Sequence, residues 1–261
     1  GQMMVKSVPL PDAFLKAPIA HRAFHDREKG RPENSRAAIR AAISAGYAIE
    51  IDIQPSSDGV PMVFHDYDLR RLTGQSGRIR GLTAAELSAL PLIGGSEGIP
   101  SLADVLETVS GKVPLLIEIK DQDGGMGRSV GPLEQAVADV LKGYGGPVAL
   151  MSFNPHSVAA LADAAPGLPR GLTTSAYRDE DWPLLSAATR THLRGIPDVD
   201  RTGSSFISHE ASDLDRDRVT ELKKMGTAVL CWTVRSAEAE AKARKIALNV
   251  TFEGYDAILP A

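Results

Sequence analysis

The sequence predicts an α/β fold: a (β/α)8 barrel with a small insertion after the hairpin that follows its second strand. Three observations carry this expectation. Apolar runs with strand character alternate with amphipathic helical stretches along the chain. The length of 261 residues suits one barrel, which typically takes about 250. After the first strand a doubly wound sheet usually carries a Gly-rich phosphate loop, and here that position reads HRAFHD. The whole of residues 1–261 is therefore read as a single domain, with residues 67–99 as the insertion.

The first strand spans Ala17 to Arg22. A polar loop leads to a helix from about Ser35 to Ala45, with Asn34 or Ser35 as N-cap and Gly46 as its stop. The second strand lies in YAIEIDIQP, from Tyr47. Asp58-Gly59 signals a tight turn, and a short return strand, Pro61 to Phe64, delivers His65 and Asp66. The following stretch is rich in Gly, Thr and Leu. It carries one short helix, Ala84 to Ala89, opened by a Thr83/Glu86 capping box.

Leu102, Val105, Leu106 and Val109 then mark one face of a helix that starts at Pro100-Ser101. Strands follow at Val113–Lys120, Pro147–Phe153, Arg170–Thr173, Ser205–Ser208 and Ala228–Thr233, and Tyr255–Leu259 is expected to be the last. The intervening helices include Leu133–Leu141 and Ser157–Ala164.

Composition excludes several classes. A hydrophobic content of 43% and a charged content of 24% are those of an ordinary globular chain. A net charge of −4 argues against nucleic acid as a partner. No apolar run approaches the roughly 20 residues that span a bilayer, so stable membrane insertion is not expected. Cys231 is the only cysteine, which rules out an intrachain disulfide. A cytoplasmic protein fits, and a periplasmic one fits if a leader has been removed. The start, GQMMVKSVPLP, does not read as a signal peptide, and Gly1 and Gln2 read as a cloning remnant. A homo-oligomer is left open.

Barrels place their chemistry at the C-terminal ends of strands. Those ends carry His21 and Arg22, then Glu50 and Asp52, then Glu118 and Lys120, and later His209 and Trp232. Residues two apart on a strand share a face. Glu50 and Asp52 therefore point together from an isoleucine-rich strand, where unpaired charge is costly. Three carboxylates without cysteine suit one hard divalent cation, Mg²⁺ or Ca²⁺. With such an ion present, Arg22 and Lys120 have no need to pair with the carboxylates and are available to an incoming anion. His21 and His65 then suit acid and base roles on either side of that anion. The competing reading is a buried ion-pair network of the same carboxylates with Arg22 and Lys120. His209 reads as a core or solvated histidine.

IAHRA (19–23), PENS (32–35), EID (50–52), DGVPMVFHD (58–66), EIK (118–120), SF (152–153) and WTV (232–234) occur in an order and spacing that resemble the glycerophosphodiester phosphodiesterase family. The resemblance implies a TIM barrel and metal-dependent hydrolysis of a small glycerophosphodiester to sn-glycerol 3-phosphate and an alcohol. It implies His21 and His65 as the catalytic pair and Glu50, Asp52 and Glu118 as metal ligands. Arg22 and Lys120 become phosphate contacts, and Trp232 a wall of the substrate pocket.

Three features depart from the family pattern. Ala23 stands where a Gly is usual. The Phe24–Arg31 loop is longer and adds His25, Asp26 and Arg27. The end reads YDAILPA. The alternatives are a lysophospholipase D or phospholipase-D-like lyase acting on lipid diesters, and a non-catalytic phosphodiester-binding protein. The last is expected to have lost a histidine or a carboxylate, and this sequence keeps all five.

Overall fold

The computed structural model describes residues 5–261; Gly1 and Gln2, read above as a cloning remnant, lie outside them. Nine strands form one sheet: β1 (Ile19–Ala20), β2 (Ala48–Pro55), β3 (Pro61–Val63), β4 (Leu115–Ile119), β5 (Val148–Ser152), β6 (Arg170–Thr174), β7 (Phe206–Glu210), β8 (Ala228–Val234) and β9 (Asn249–Phe252). All pairings are parallel except that of β3 with β2. β1 pairs with both β2 and β9, which closes eight parallel strands into a barrel and leaves β3 as a hairpin appendage. This is the expected (β/α)8 architecture.

Helices lie between the strands. α1 (Arg36–Ala45) follows β1, and α2 (Arg70–Thr73), α3 (Ala84–Ser88) and α4 (Leu102–Val109) follow β3. Next come α5 (Pro132–Leu141), α6 (Pro155–Ala164), α7 (Ala187–Arg194), α8 (Val199–Thr202), α9 (Asp217–Lys224) and α10 (Ala237–Ala243). Among the described residues no helix is long and apolar enough to cross a membrane. The cap of α1 is Ser35, whose Oγ accepts from the Ala38 N–H, and Gly46 ends the helix at φ 82°. The Thr83/Glu86 capping box forms as expected. α2 and α3 belong to the insertion, which has its own apolar cluster around Met62, Phe64, Leu72, Ile79 and Leu87.

One local expectation differs from the structure. The last strand is Asn249–Phe252, whereas residues 255–259 are irregular and expose Ile258 at 84%. Asn249 disguises the true strand in the sequence, because Asn is depleted in strands. In the fold Asn249 is buried and donates from Nδ2 to the carbonyls of Phe14 (2.7 Å) and Ala17 (2.8 Å). In the hairpin, Pro55 pairs with Pro61, and the Ser56 N–H donates to the Val60 carbonyl at 3.0 Å, so a tight turn closes over residues 57–59. Gly59 supplies the left-handed position, at φ 78°.

An apolar layer seals the N-terminal end of the barrel: Phe14, Ile19, Leu116, Ala149, Phe206 and Leu230 pack there, all buried. Space is tight at Gly171 on β6, where an added Cβ would lie 2.4 Å from the Phe206 carbonyl oxygen. Gly171→Ala is therefore expected to destabilise the barrel by about 1–3 kcal/mol. Thermal melting would show this as a midpoint drop of several degrees; an unchanged midpoint would mean that β6 and β7 can separate at no cost.

Candidate active site

The C-terminal end of the barrel opens into a cavity of about 620 Å³. It brings together every residue singled out from the sequence: His21, Arg22, Glu50, Asp52, His65, Glu118, Lys120 and Trp232 all line it. Parallel register explains the acidic cluster, since Asp52 on β2 lies beside Glu118 on β4 and Glu50 is one inward position below. One carboxylate oxygen from each of Glu50, Asp52 and Glu118 can be chosen such that all three lie within 4.8 Å of one another, and all three residues are buried.

The three groups do not share charge equally. Burial, then Asp52 and Glu118, push the Glu50 carboxyl well above the usual range. Burial opposes ionisation of Asp52 too, but Lys120, His65 and Arg22 outweigh it and hold that carboxyl well below its usual value. Asn34 adds a donor from Nδ2 to Asp52 Oδ2 at 3.0 Å. Three ionised carboxylates at this separation would repel one another, and a hard cation among them would relieve it. The donor set and its geometry fit such an ion.

Arg22 and Lys120 pair with carboxylates in the structure, as the ion-pair reading expects; the other reading frees them only when a cation is bound. Lys120 Nζ donates to Glu118 Oε2 at 2.6 Å and lies 3.8 Å from Asp52. Arg22 Nη1 donates to Glu33 at 3.0 Å, and its Nε is 3.8 Å from Asp52. The cost of buried carboxylate charge draws in the nearest ammonium and guanidinium groups. Burial lowers the Lys120 pKa, but Glu118 and Asp52 raise it further, so it stays charged.

Each candidate histidine is held by a carboxylate. His21 Nδ1 lies 2.7 Å from Glu253 Oε1, and His65 Nδ1 lies 2.7 Å from Asp66 Oδ1. An ionised carboxylate only accepts, so both rings donate from Nδ1 and keep Nε2 for the cavity. Burial opposes the charge on Glu253, but hydrogen bonds from His21 and His25 hold its carboxyl well below the usual range. Burial also lowers the His21 pKa more than Glu253 restores it.

Asp66 is fixed in turn by Arg71 from α2, at 2.8 and 2.9 Å, and the same guanidinium grips Glu33 at 2.7 and 3.1 Å. Glu33 thereby joins Arg71 to Arg22. The opposite wall is aromatic. Phe153 meets Trp182 and Trp232 edge-on, with centroids 4.9 and 5.7 Å apart. His209 is fully buried and bonded to Thr174 and Asp213, as a core histidine should be.

Glu253, Asn34, Asp66 and Arg71 were not read as site residues from the sequence. Glu253 follows β9, which Asn249 hides in the sequence, and Asn34 reads as a helix cap. Asp66 directly follows the second histidine, the one local signal available.

Parallel strands that gather carboxylates, cations and paired histidines at the C-terminal mouth define an enzyme of the barrel phosphodiesterase class. Residues 21–256 match the model of the glycerophosphoryl diester phosphodiesterase family, and the chain belongs to this family of hydrolases. A glycerophosphodiester phosphodiesterase of Caldanaerobacter subterraneus subsp. tengcongensis is 33% identical over 174 residues, covering 63% of this chain and 69% of that protein. A phosphodiesterase of Oleispira antarctica, solved in complex with the product sn-glycerol-3-phosphate, is 27% identical with a TM-score of 0.74 over 94% of this chain and 95% of that one. A glycerophosphodiester phosphodiesterase of Parabacteroides distasonis shares the fold, with 20% identity and a TM-score of 0.71 over 90% of this chain and 92% of that one.

Removing the cation that faces two buried carboxylates should be expensive. Lys120→Met in chelator-treated protein is expected to lose about 3 kcal/mol of stability. Denaturant titration measures this; an unchanged midpoint would show that the carboxylates are neutral in the fold.

Proposed function

We propose that this chain hydrolyses glycerophosphodiesters to sn-glycerol 3-phosphate and an alcohol, using one divalent cation and two histidines. The observation that supports it most is the convergence of Glu50, Asp52 and Glu118 with two histidines that each donate Nδ1 to a carboxylate. Glu50, Asp52 and Glu118 would hold the ion, Mg²⁺ or Ca²⁺. When bound, it supplies Lewis-acid neutralisation of charge on the phosphoryl group.

The protein's own groups carry the proton chemistry. His21, kept neutral by burial, accepts at Nε2 the proton of the attacking hydroxyl as the new P–O bond forms. His65 gives a proton from Nε2 to the departing alkoxide as the old P–O bond breaks, and Asp66 balances the imidazolium charge. Arg22 and Lys120 bind the non-bridging oxygens, where charge grows in the transition state. Trp232 forms a wall for the substrate. Its indole N–H donates to the Ser208 carbonyl at 3.0 Å, which fixes the ring. The whole chain works as one catalytic domain, to which the 67–99 insertion contributes Arg71.

His21→Ala and His65→Ala should each lose at least about 10²-fold in kcat with the fold intact; near wild-type turnover of glycerophosphocholine would remove that histidine from the mechanism. Chelated enzyme should be inactive and recover with added Mg²⁺ or Ca²⁺, and full activity without metal would sink the metal role. Because the base must be neutral and its pKa is lowered, kcat/KM should hold as pH falls and drop only below the ordinary imidazole value of about 6.5. A fall that began above pH 7 would contradict the assignment of His21. Sinking of the whole reading would follow from no release of sn-glycerol 3-phosphate across a panel of glycerophosphodiesters.

A further inference from the structure

The barrel interior is divided. The contiguous strands β1, β2 and β4 present the charged groups to the cavity at their C-terminal ends. The residues that line it from within β5 to β9 carry no charge: Met151, Thr173, Ser208, Trp232, Thr233 and Thr251. Three of these end in hydroxyls that lie deep. Thr173, Ser208 and Thr251 are exposed by only 2, 0 and 1%. Thr173 and Ser208 are register partners on β6 and β7, and Thr251 stands on β9. None of the three hydroxyls has a hydrogen-bond partner among the described residues. Other buried hydroxyls are paired: Ser152 with the Ile119 carbonyl, Thr174 with His209 and Thr202 with the Asp198 carbonyl. An unpaired hydroxyl at such depth is costly and calls for a partner. Beneath the three, the layer of Phe14, Phe206 and Leu230 seals the barrel. Trp232 is tied to the same place, since its indole N–H donates to the Ser208 carbonyl at 3.0 Å. The hydroxyls thus form the closed, neutral floor of one half of the cavity.

We propose that Thr173, Ser208 and Thr251 read the glycerol end of the substrate by binding its free C1 hydroxyl, and so select against diesters acylated at that carbon. This rests on the glycerophosphodiester reading above. Charge sorts the two parts of the substrate. The phosphoryl anion belongs with Arg22 and Lys120, and an uncharged hydroxyl belongs with the uncharged floor. The departing alcohol must reach solvent, so it takes the mouth and leaves the floor to the glycerol. A ligand hydroxyl offers one donor and two lone pairs, as each floor hydroxyl does, so one ligand oxygen can partner several of them. A site built to bond a substrate hydroxyl rejects an analogue that lacks it, because its own polar groups are then stranded. An acyl ester at C1 removes the donor and sets hydrocarbon against three hydroxyls above a sealed layer.

The experiment compares three substrates at saturating divalent cation. Glycerophosphocholine carries hydroxyls only on its glycerol; the others are its 1-deoxy analogue and 1-acyl-lysophosphatidylcholine. In kcat/KM the parent enzyme should favour glycerophosphocholine over both by at least about 10²-fold. Thr173→Val, Ser208→Ala and Thr251→Val should each lower kcat/KM for glycerophosphocholine by about 5- to 10-fold. The same variants should raise the inhibition constant of sn-glycerol 3-phosphate by that factor and leave kcat/KM for the 1-deoxy analogue within about 2-fold. Each variant removes a hydroxyl without a protein partner, so its melting midpoint should hold or rise. A merely structural hydroxyl would instead lower the midpoint and depress both substrates alike. Inhibition constants unchanged in all three variants would overturn the role of the floor, as would turnover of the 1-acyl compound equal to that of glycerophosphocholine. Hydrolysis of glycerophosphodiesters would stand in either case. No release of sn-glycerol 3-phosphate by the parent enzyme would overturn the functional reading and this inference with it.

Discussion

The constraint on which the rest of the structure depends is the cost of three buried carboxylates in an apolar barrel. Glu50, Asp52 and Glu118 are inward residues of two adjacent strands, packed above a layer of Ile, Leu and Phe side chains. Such a cluster persists only if positive charge is brought to it. Lys120 and Arg22 answer from the same strand ends. Arg22 is itself held by Glu33, and Glu33 by Arg71, so compensation spreads outward from the carboxylates to the insertion. The insertion thereby joins the electrostatics of the site, because Arg71 also fixes Asp66 beside His65.

Much of this was legible in the sequence, and the reason is physical. An acid in an isoleucine strand conflicts with local preference, and such conflicts mark functional sites. Glu50, Asp52 and Glu118 were visible on that ground, and His21 and His65 from their positions at strand ends. Regular alternation was enough to give the barrel. What was hidden depends on partners distant in sequence. Arg71 reaches Asp66 and Glu33 only once the insertion has folded back. The contact of Arg22 with Glu33 depends in the same way on a distance that no spacing encodes. Glu253 was lost with β9, because Asn249 reads as loop chemistry until its amide is seen bonding the carbonyls of Phe14 and Ala17.

The two histidines are built alike and supported differently. Both donate from Nδ1 to a carboxylate. Asp66 is clamped by a two-pronged guanidinium from a helix, whereas Glu253 is shared between two imidazoles and an exposed arginine. The first arrangement is rigid and strongly charged. The second spreads one carboxylate over several weaker partners. A base and an acid of the same residue type, as proposed for this pair, require environments that differ in this way.

The barrel closes where β1 meets β9, and the His21–Glu253 pair spans that seam. The first and last strands are the most distant in sequence, so their pairing is among the costliest contacts in loop entropy. Every other strand could pair with its neighbour and the proposed base would still lack its carboxylate. On the proposed mechanism, turnover then serves as a checkpoint on completed folding: a barrel open at this seam would hold its carboxylates and its second histidine yet remain silent.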